Sequence, residues 1–409
     1  MSRSLHLFEG YGIELEYMIV DRDTLDVKPI CDAVLEALEG KIVNEVSLGR
    51  INVSNELVLH VIEFKCNGPQ SDLGQMRRSF QDQIRRINDL LGRWNAQLLP
   101  TAMHPLMQPA QETKLWPHGQ NAIYESYNRI FDCRGHGWSN LQSVHINLPF
   151  QGDEEFGRLH AAIRLVLPLL PGLAASSPLV EGVMTGKADN RLAFYSQNQK
   201  RIASIIGQVI PERVFTQADY EKTIFAAIER DIKPHDPAGI LEAEWLNSRG
   251  AIARFERDAI EIRLLDIQES LAADFAVISL VISLVKSLVE EKWFSYADQK
   301  LVDEKELNKV FMQAVDAGGD ALLADPSLLA CFNLAAPLPL RDVWTHILQV
   351  LVRKGYPVKE FVLEAQHLLA RGSLTSTLVR RLGPKPSRIE ILTVYRELSH
   401  CLHEGRFYG

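Results

Sequence analysis

Apolar and polar positions alternate in short runs along the first 150 residues, interrupted by one long stretch with helical spacing. Segments 11–21, 41–47, 53–66, 98–103 and 141–150 are rich in Val, Ile and Leu and are bounded by Gly, Asn, Asp or Pro, which predicts strands. Residues 71–98 repeat apolar side chains at helical intervals behind a capping Ser71 or Asp72. Strands followed by long helices, without regular βαβ alternation, predict an α+β fold. Residues 152–245 read as mainly helical apart from a polar loop at 176–190, and 251–265 reads as a strand pair. Helices are then predicted over 268–292, 303–318, 340–354, 358–371 and 386–403, with breaks at the Pro-containing segments 335–340 and 383–387. The expected organisation is a main body over 1–294 and a helical region over 295–409 packed on the same domain.

Composition narrows the function classes. The 409 residues are 46% hydrophobic and 23% charged, ordinary for a globular protein. The net charge is −8 and no Lys/Arg run exceeds a pair, so the basic stripe of a nucleic-acid partner is missing. Five scattered cysteines without a CxxC fit a reducing compartment, with neither a disulfide frame nor a closed zinc site. The first ten residues lack the apolar core of a signal peptide. The most apolar stretch, 271–291, is interrupted by Asp274 and Lys286 and reads as a buried amphipathic helix rather than a membrane span. The expectation is a cytoplasmic protein with no membrane partner.

Candidate chemistry lies inside the strands. "GIELEYMIVD" carries Glu14 and Glu16 two residues apart, so both point to one face. Adjacent like charges repel and are costly to desolvate. Either that face is simply wet, the plainer account for this pair alone, or a divalent cation such as Mg²⁺ or Mn²⁺ holds the pair. Further strands shift the balance: Glu56 and Glu63 in "NELVLHVIEFKCNGP", His145 and Asn147 in "SVHINL", and Glu261, Arg263 and Asp266 in "DAIEIRLLD". A set biased to Glu, with one His and one Arg, looks like a metal–phosphate site. One detail resists: Glu56 and Glu63 are an odd number apart, so a single regular strand would place them on opposite faces. A bulge, or a turn near Asn55, would bring both into one site; otherwise Glu63, deeper in the apolar run, is the ligand. "GVMTGKA" has three residues between its glycines and no Ser/Thr after Lys187, so it is not a phosphate loop. His60 reads as a packed histidine.

Together, "GIELEYMIVD", "ELVLHVIEFKCNGP", "SVHINL", "ASSPLVEGVMTGKADNR" and "IEIRLLDIQ", in this order, resemble the glutamate–cysteine ligase type 2 family of carboxylate–amine ligases over roughly residues 10–290. That family looks like part of the glutamine synthetase superfamily. The resemblance implies a curved antiparallel sheet with flanking helices and a helical C-terminal region, its concave face holding divalent cations and ATP phosphates. It implies metal binding by Glu14, Glu16, Glu56, Glu63, His145 and Glu261, catalytic roles for Glu261 and Arg263, and ATP contacts from Arg263 and Asn147. The separation of Glu56 and Glu63 matches the family. Arg191 matches a position that holds substrate carboxylate or phosphate; read by itself it is equally a surface arginine at a helix start behind Asp189 and Asn190. The implied reaction joins an amino-acid carboxylate, such as the glutamate γ-carboxylate, to cysteine or another amine through an acyl phosphate, with ATP and Mg²⁺ (or Mn²⁺). Positioning and neutralising three anions is the main task, and no covalent protein nucleophile is needed. A guanidino-kinase-like phosphotransferase on the same scaffold, and a catalytically silent ATP- and metal-binding protein, are the alternatives. Expected partners are small amino acids and amines, and the C-terminal helices permit a homodimer.

Overall fold

The computed structural model describes residues 5–119 and 121–409. Its centre is an eight-stranded antiparallel sheet built from β1 (Gly12–Asp21), β2 (Glu45–Ser47), β3 (Ile51–Asn55), β4 (Val61–Cys66), β5 (Ala96–Leu99), β6 (Ser143–Pro149), β7 (Ala251–Arg254) and β8 (Ala259–Asp266). The order is β2-β3-β4-β1-β6-β8-β7, and β5 pairs with the last residues of β1.

Strand period sorts the side chains of β1. Ile13, Leu15, Tyr17 and Ile19 turn to one face and are fully buried. They share a core with α1 (Leu73–Leu91), α2 (Gly152–Val166) and α3 (Leu271–Val289). Asp72 caps α1 by accepting a hydrogen bond from Gln75 N. The opposite face carries Glu14 and Glu16, then Met18 and Val20.

α3 departs from the amphipathic expectation. Sixteen of its nineteen residues are buried, because α1 and α2 lie on one side and α4 (Leu340–Lys354) and α5 (Val362–Arg371) wrap the rest. A helix enclosed all round is apolar all round. Residues 152–174 and 271–289 are long and apolar enough to cross a membrane by length and composition alone, but both lie almost wholly inside the protein. The last two helices, α6 (Leu374–Leu382) and α7 (Arg388–Glu404), bury Met18 and Val20 together with Leu25, Leu99 and Met107.

The largest correction concerns residues 53–66, expected as one strand. They form the end of β3, a connection and β4, with Ser54 opposite Glu63 and Asn55 opposite Ile62. The connection is apolar because it pairs elsewhere: Leu59 N donates to Lys114 O, Trp116 N donates to Leu57 O, and Val58 bridges Leu115. Its backbone groups are thus satisfied within a buried segment.

Candidate active site

Four central strands deliver the polar residues to one face. Register places Glu16 opposite Glu63 and Glu14 opposite Lys65 on one side of β1, and Glu14 opposite His145 on the other. Asn147 pairs with Glu261 on β8. Gly12 makes room at the junction: a Cβ there would lie 3.1 Å from Asn147 Cβ, and without it Asn147 Nδ2 donates to Glu14 Oε1 at 3.0 Å. A register shift between Ile262 and Leu265 frees Arg263, whose N–H turns to Gly250 O. A side chain at Gly250 would strike Leu264 at 2.4 Å.

The turn into β4 settles the parity problem. Ser54 faces Glu63 and donates to its Oε2 at 2.7 Å. Glu56 lies two residues beyond Ser54, past the end of β3, and lines the same cleft as Glu63. Both acids therefore reach one site, because the chain turns between them.

The contacts around these acids are dense. His145 Nδ1 lies 3.0 Å from Glu14 Oε2 and 3.6 Å from Glu261 Oε1. The Ser143 N–H and Oγ–H both donate to Glu16 Oε2 at 2.7 Å. Arg254 Nε donates to Glu261 Oε2 at 2.8 Å. Arg263 Nε lies 3.0 Å from Glu261 Oε1 as an ion pair without an aligned hydrogen bond. Lys65 Nζ is 3.0 Å from Glu63 Oε2 and 2.8 Å from Glu45 Oε2.

Electrostatics divide the acids into two groups. Burial opposes ionisation of Glu261, but Arg254 and Arg263 outweigh it and hold the pKa at about 2. Burial is likewise overcome at Glu14, whose pKa is lowered by the hydrogen bond to His145. The His145 pKa is raised against its own burial by Glu14 and Glu16. By contrast, burial and the charge of Glu14 push Glu63 up to about 7. Burial, Glu63 and Glu16 raise Glu56 well above the usual carboxylate range. The acids outnumber the cations near them, a deficit that a bound cation corrects.

Glu14, Glu63 and His145 each offer a ligand atom, all within 4.8 Å of one another. Opposed ligands of an octahedral Mg²⁺ are about 4 Å apart, and oxygen donors with one imidazole suit Mg²⁺ or Mn²⁺. The residues present therefore fit such an ion. Of the six expected ligands the structure gathers these three within 4.8 Å of one another; Glu16 is engaged by Ser143 and Glu261 by the two arginines. Glu56 lies nearby with no coordinating trio of its own among the described residues.

Two compartments meet at this cluster. A cleft of about 980 Å³ contains Glu14, Glu63, Asn147, Glu261 and Lys65 and opens towards Trp245 and Arg257. A smaller cavity of about 160 Å³ lies beside it, walled by Trp138, Leu141, Tyr195, Gln199, Ser248 and Arg191. Glu16, Glu56, His145 and Arg263 belong to both walls. Gln199 is 2% exposed; its Nε2 donates to Ser248 Oγ, while its Oε1 has no hydrogen-bond partner among the described residues.

Arg191 is buried, which removes the surface-arginine reading. It stands at the start of a short helix, Asn190–Tyr195, capped by Asp189. Its Nε donates to Asp266 Oδ1 at 2.5 Å. Asp266 Oδ2 also accepts from Ser176 N and Ser177 Oγ, so the 176–190 loop is latched to the end of β8. His60 is packed, its Nε2 on Ser139 O, away from the acids.

Arg254, Lys65 and Ser143 were not singled out in the sequence. Lys65 and Ser143 lie two residues from Glu63 and His145, so strand period carried that signal. Arg254 reaches Glu261 across the β7–β8 turn, which strand period alone does not reveal.

Family membership and fold together define the chain as an ATP-dependent carboxylate–amine ligase. The chain belongs to the glutamate-cysteine ligase family 2, whose family model matches residues 11–332 and so runs beyond residue 294 into the helical region. An uncharacterised protein of Archaeoglobus fulgidus is 31% identical over 97% of this chain and 99% of its own length. A Bradyrhizobium sp. (strain ORS 278) protein provisionally named glutamate–cysteine ligase 2 is 24% identical over 68% of this chain and 62% of its own length. The crystal structure of glutamate–cysteine ligase from Francisella tularensis in complex with AMP shares the fold, with a TM-score of 0.60 at 11% identity, covering 99% of this chain and 90% of that one.

Proposed function

We propose that this ligase joins an amino-acid carboxylate, the γ-carboxylate of glutamate in the simplest case, to cysteine or another small amine. The observation that carries the reading is the pair of compartments meeting at one acid cluster. The larger has room for a nucleotide. The smaller has room for one small molecule, being well below the 300 Å³ or so at which drug-sized pockets begin. A carboxylate held in the small cavity would meet the γ-phosphate of ATP at the shared residues.

Mg²⁺ or Mn²⁺, when bound at Glu14, Glu63 and His145, would neutralise phosphate oxygens. The protein's own groups do the rest. Arg263, present in both compartments, would clamp the transferring phosphoryl group with its planar fork. Glu261 holds Arg263 and Arg254 in place. The unpartnered Gln199 Oε1 would accept a hydrogen bond from a substrate ammonium. The acid's oxygen attacks the γ-phosphorus and ADP leaves; the amine then attacks the acyl carbon and phosphate leaves. No protein nucleophile takes part.

The test is ADP release by the purified chain with Mg²⁺ or Mn²⁺ across a panel of amino acids and amines, with product mass by mass spectrometry. An amide product is expected. A stable phosphorylated product would indicate a phosphotransferase, and ATP binding without turnover on any pair would indicate a silent binding protein.

A further inference from the structure

Two rows of side chains cross β2, β3, β4 and β1 on the site face. Register sets Glu45 opposite Ser54, Ser54 opposite Glu63 and Glu63 opposite Glu16. Two residues along, Ser47, Asn52, Lys65, Glu14 and His145 make the neighbouring row. The first row holds three acids and no cation. Lys65 supplies one from the second row: its Nζ lies 2.8 Å from Glu45 Oε2 and 3.0 Å from Glu63 Oε2. Among the described residues it is the only cationic side chain in ion-pair contact with either acid. Neutral donors hold both carboxylates as well. Asn52 Nδ2 donates to Glu45 Oε1 and Ser54 Oγ donates to Glu63 Oε2, each at 2.7 Å. Glu45, Ser54, Glu63 and Lys65 all line the large cleft.

We propose that Lys65 is a built-in counter-cation standing where a further divalent ion would otherwise bridge Glu45 and Glu63, so that this end of the acid row loads no metal. The inference rests on the metal-dependent ligase reading above and deepens it by limiting how many ions the site takes. Oxygens bind Mg²⁺ at about 2.1 Å, so carboxylates now 2.8 and 3.0 Å from one nitrogen would need to draw in by less than about 1 Å each to hold an ion there. The ammonium forestalls this. It is a compact point charge on a flexible stem, it is charged at neutral pH, and its covalent attachment prevents exchange. Glu63 belongs both to this pair and to the trio with Glu14 and His145. The ammonium therefore also repels a second divalent ion next to one bound at the trio. The ion count is thus limited by a side chain of β4 and not by metal supply.

The experiment counts Mn²⁺ ions bound to the full chain without nucleotide, by electron paramagnetic resonance of the free ion, with a melting curve to confirm that each variant is folded. Lys65→Met keeps the stem and removes the charge, and Lys65→Gln is a second neutral variant. Both are expected to bind one Mn²⁺ more than the wild type. Lys65→Arg is expected to match the wild type, and adding Glu45→Gln to Lys65→Met is expected to remove the extra ion. The counter-cation role is overturned if the folded neutral variants bind no more Mn²⁺ than the wild type, or if the extra ion survives Glu45→Gln. A wild type that binds no Mn²⁺ overturns the metal site and this inference together. Failure of the ligase reading shows separately, as a rise in ion count in a protein that releases no ADP with any acid and amine.

Discussion

Along a single face of β1, Glu14 and Glu16 border an open cleft, whereas Met18 and Val20 are sealed beneath α6 and α7. The strand, the face and the backbone geometry are the same; what differs is the covering. In the open half, His145 is surrounded by Glu14, Glu16 and Glu261 and its pKa is raised. In the closed half, His104 is buried against Leu25 and Met107, and its pKa falls to about 4, chiefly through burial. One imidazole is drawn towards its cation and the other held neutral. The C-terminal helices thus set where the site ends as much as they stabilise the fold.

The largest expected effect is in the open half. Glu16→Gln should lower turnover by about 10²–10³-fold with little change in melting temperature, and Glu261→Gln should lower turnover by at least as much and also lower the melting temperature, because it leaves Arg254 and Arg263 without their carboxylate; ADP release and calorimetry measure both. Full activity in both variants would remove these acids from the site. In the closed half the outcome inverts. Met18→Ala should cost about 2–5 kcal/mol of stability in urea denaturation, as for other buried methionines, while folded enzyme keeps its turnover.

A third expectation concerns pH. His104 Nδ1 accepts from the Leu106 and Met107 N–H groups, and its Nε2–H donates to Leu25 O. A proton on Nδ1 would face two donors. Because the folded pKa lies below the unfolded value of about 6.5, the unfolded chain binds the extra proton first. This contribution is fully present above pH 6.5 and is lost as pH falls towards 4. The His104 share of this loss should be about 1 kcal/mol between pH 6.5 and 5.5 and about 3 kcal/mol in all as pH nears 4; His60 and His160, also depressed by burial, add their own, and His104→Gln should remove only its share. Equal slopes in both proteins would sink this assignment. The smallest effect is metal linkage. Mg²⁺ at ten times its dissociation constant adds about 1.4 kcal/mol, read as a rise of a few degrees in melting temperature, and Glu63→Gln should abolish it.

Strand period made much of the site legible. It paired Glu14 with Glu16 and His145 with Asn147, and it would have added Lys65 and Ser143. It failed where covering or long-range pairing decides. Residues 57–59 look like strand because they bond to 114–116, so the turn that unites Glu56 with Glu63 carries no Gly or Pro signal. The helix α3 looks amphipathic until the helices that enclose it are placed. Arg254 became visible only with the β7–β8 turn, since its partner lies seven positions along the chain.

The shared wall between cleft and cavity has a thermodynamic consequence. Glu16, Glu56, His145 and Arg263 face both spaces, so a ligand in one alters the charge and hydrogen bonding seen by a ligand in the other. Whatever factor one occupant imposes on its neighbour's affinity must be returned unchanged. On the proposed function, a nucleotide dissociation constant measured without the acid substrate should therefore differ from the one that operates in turnover, and the ratio of the two can be read from either side of the wall.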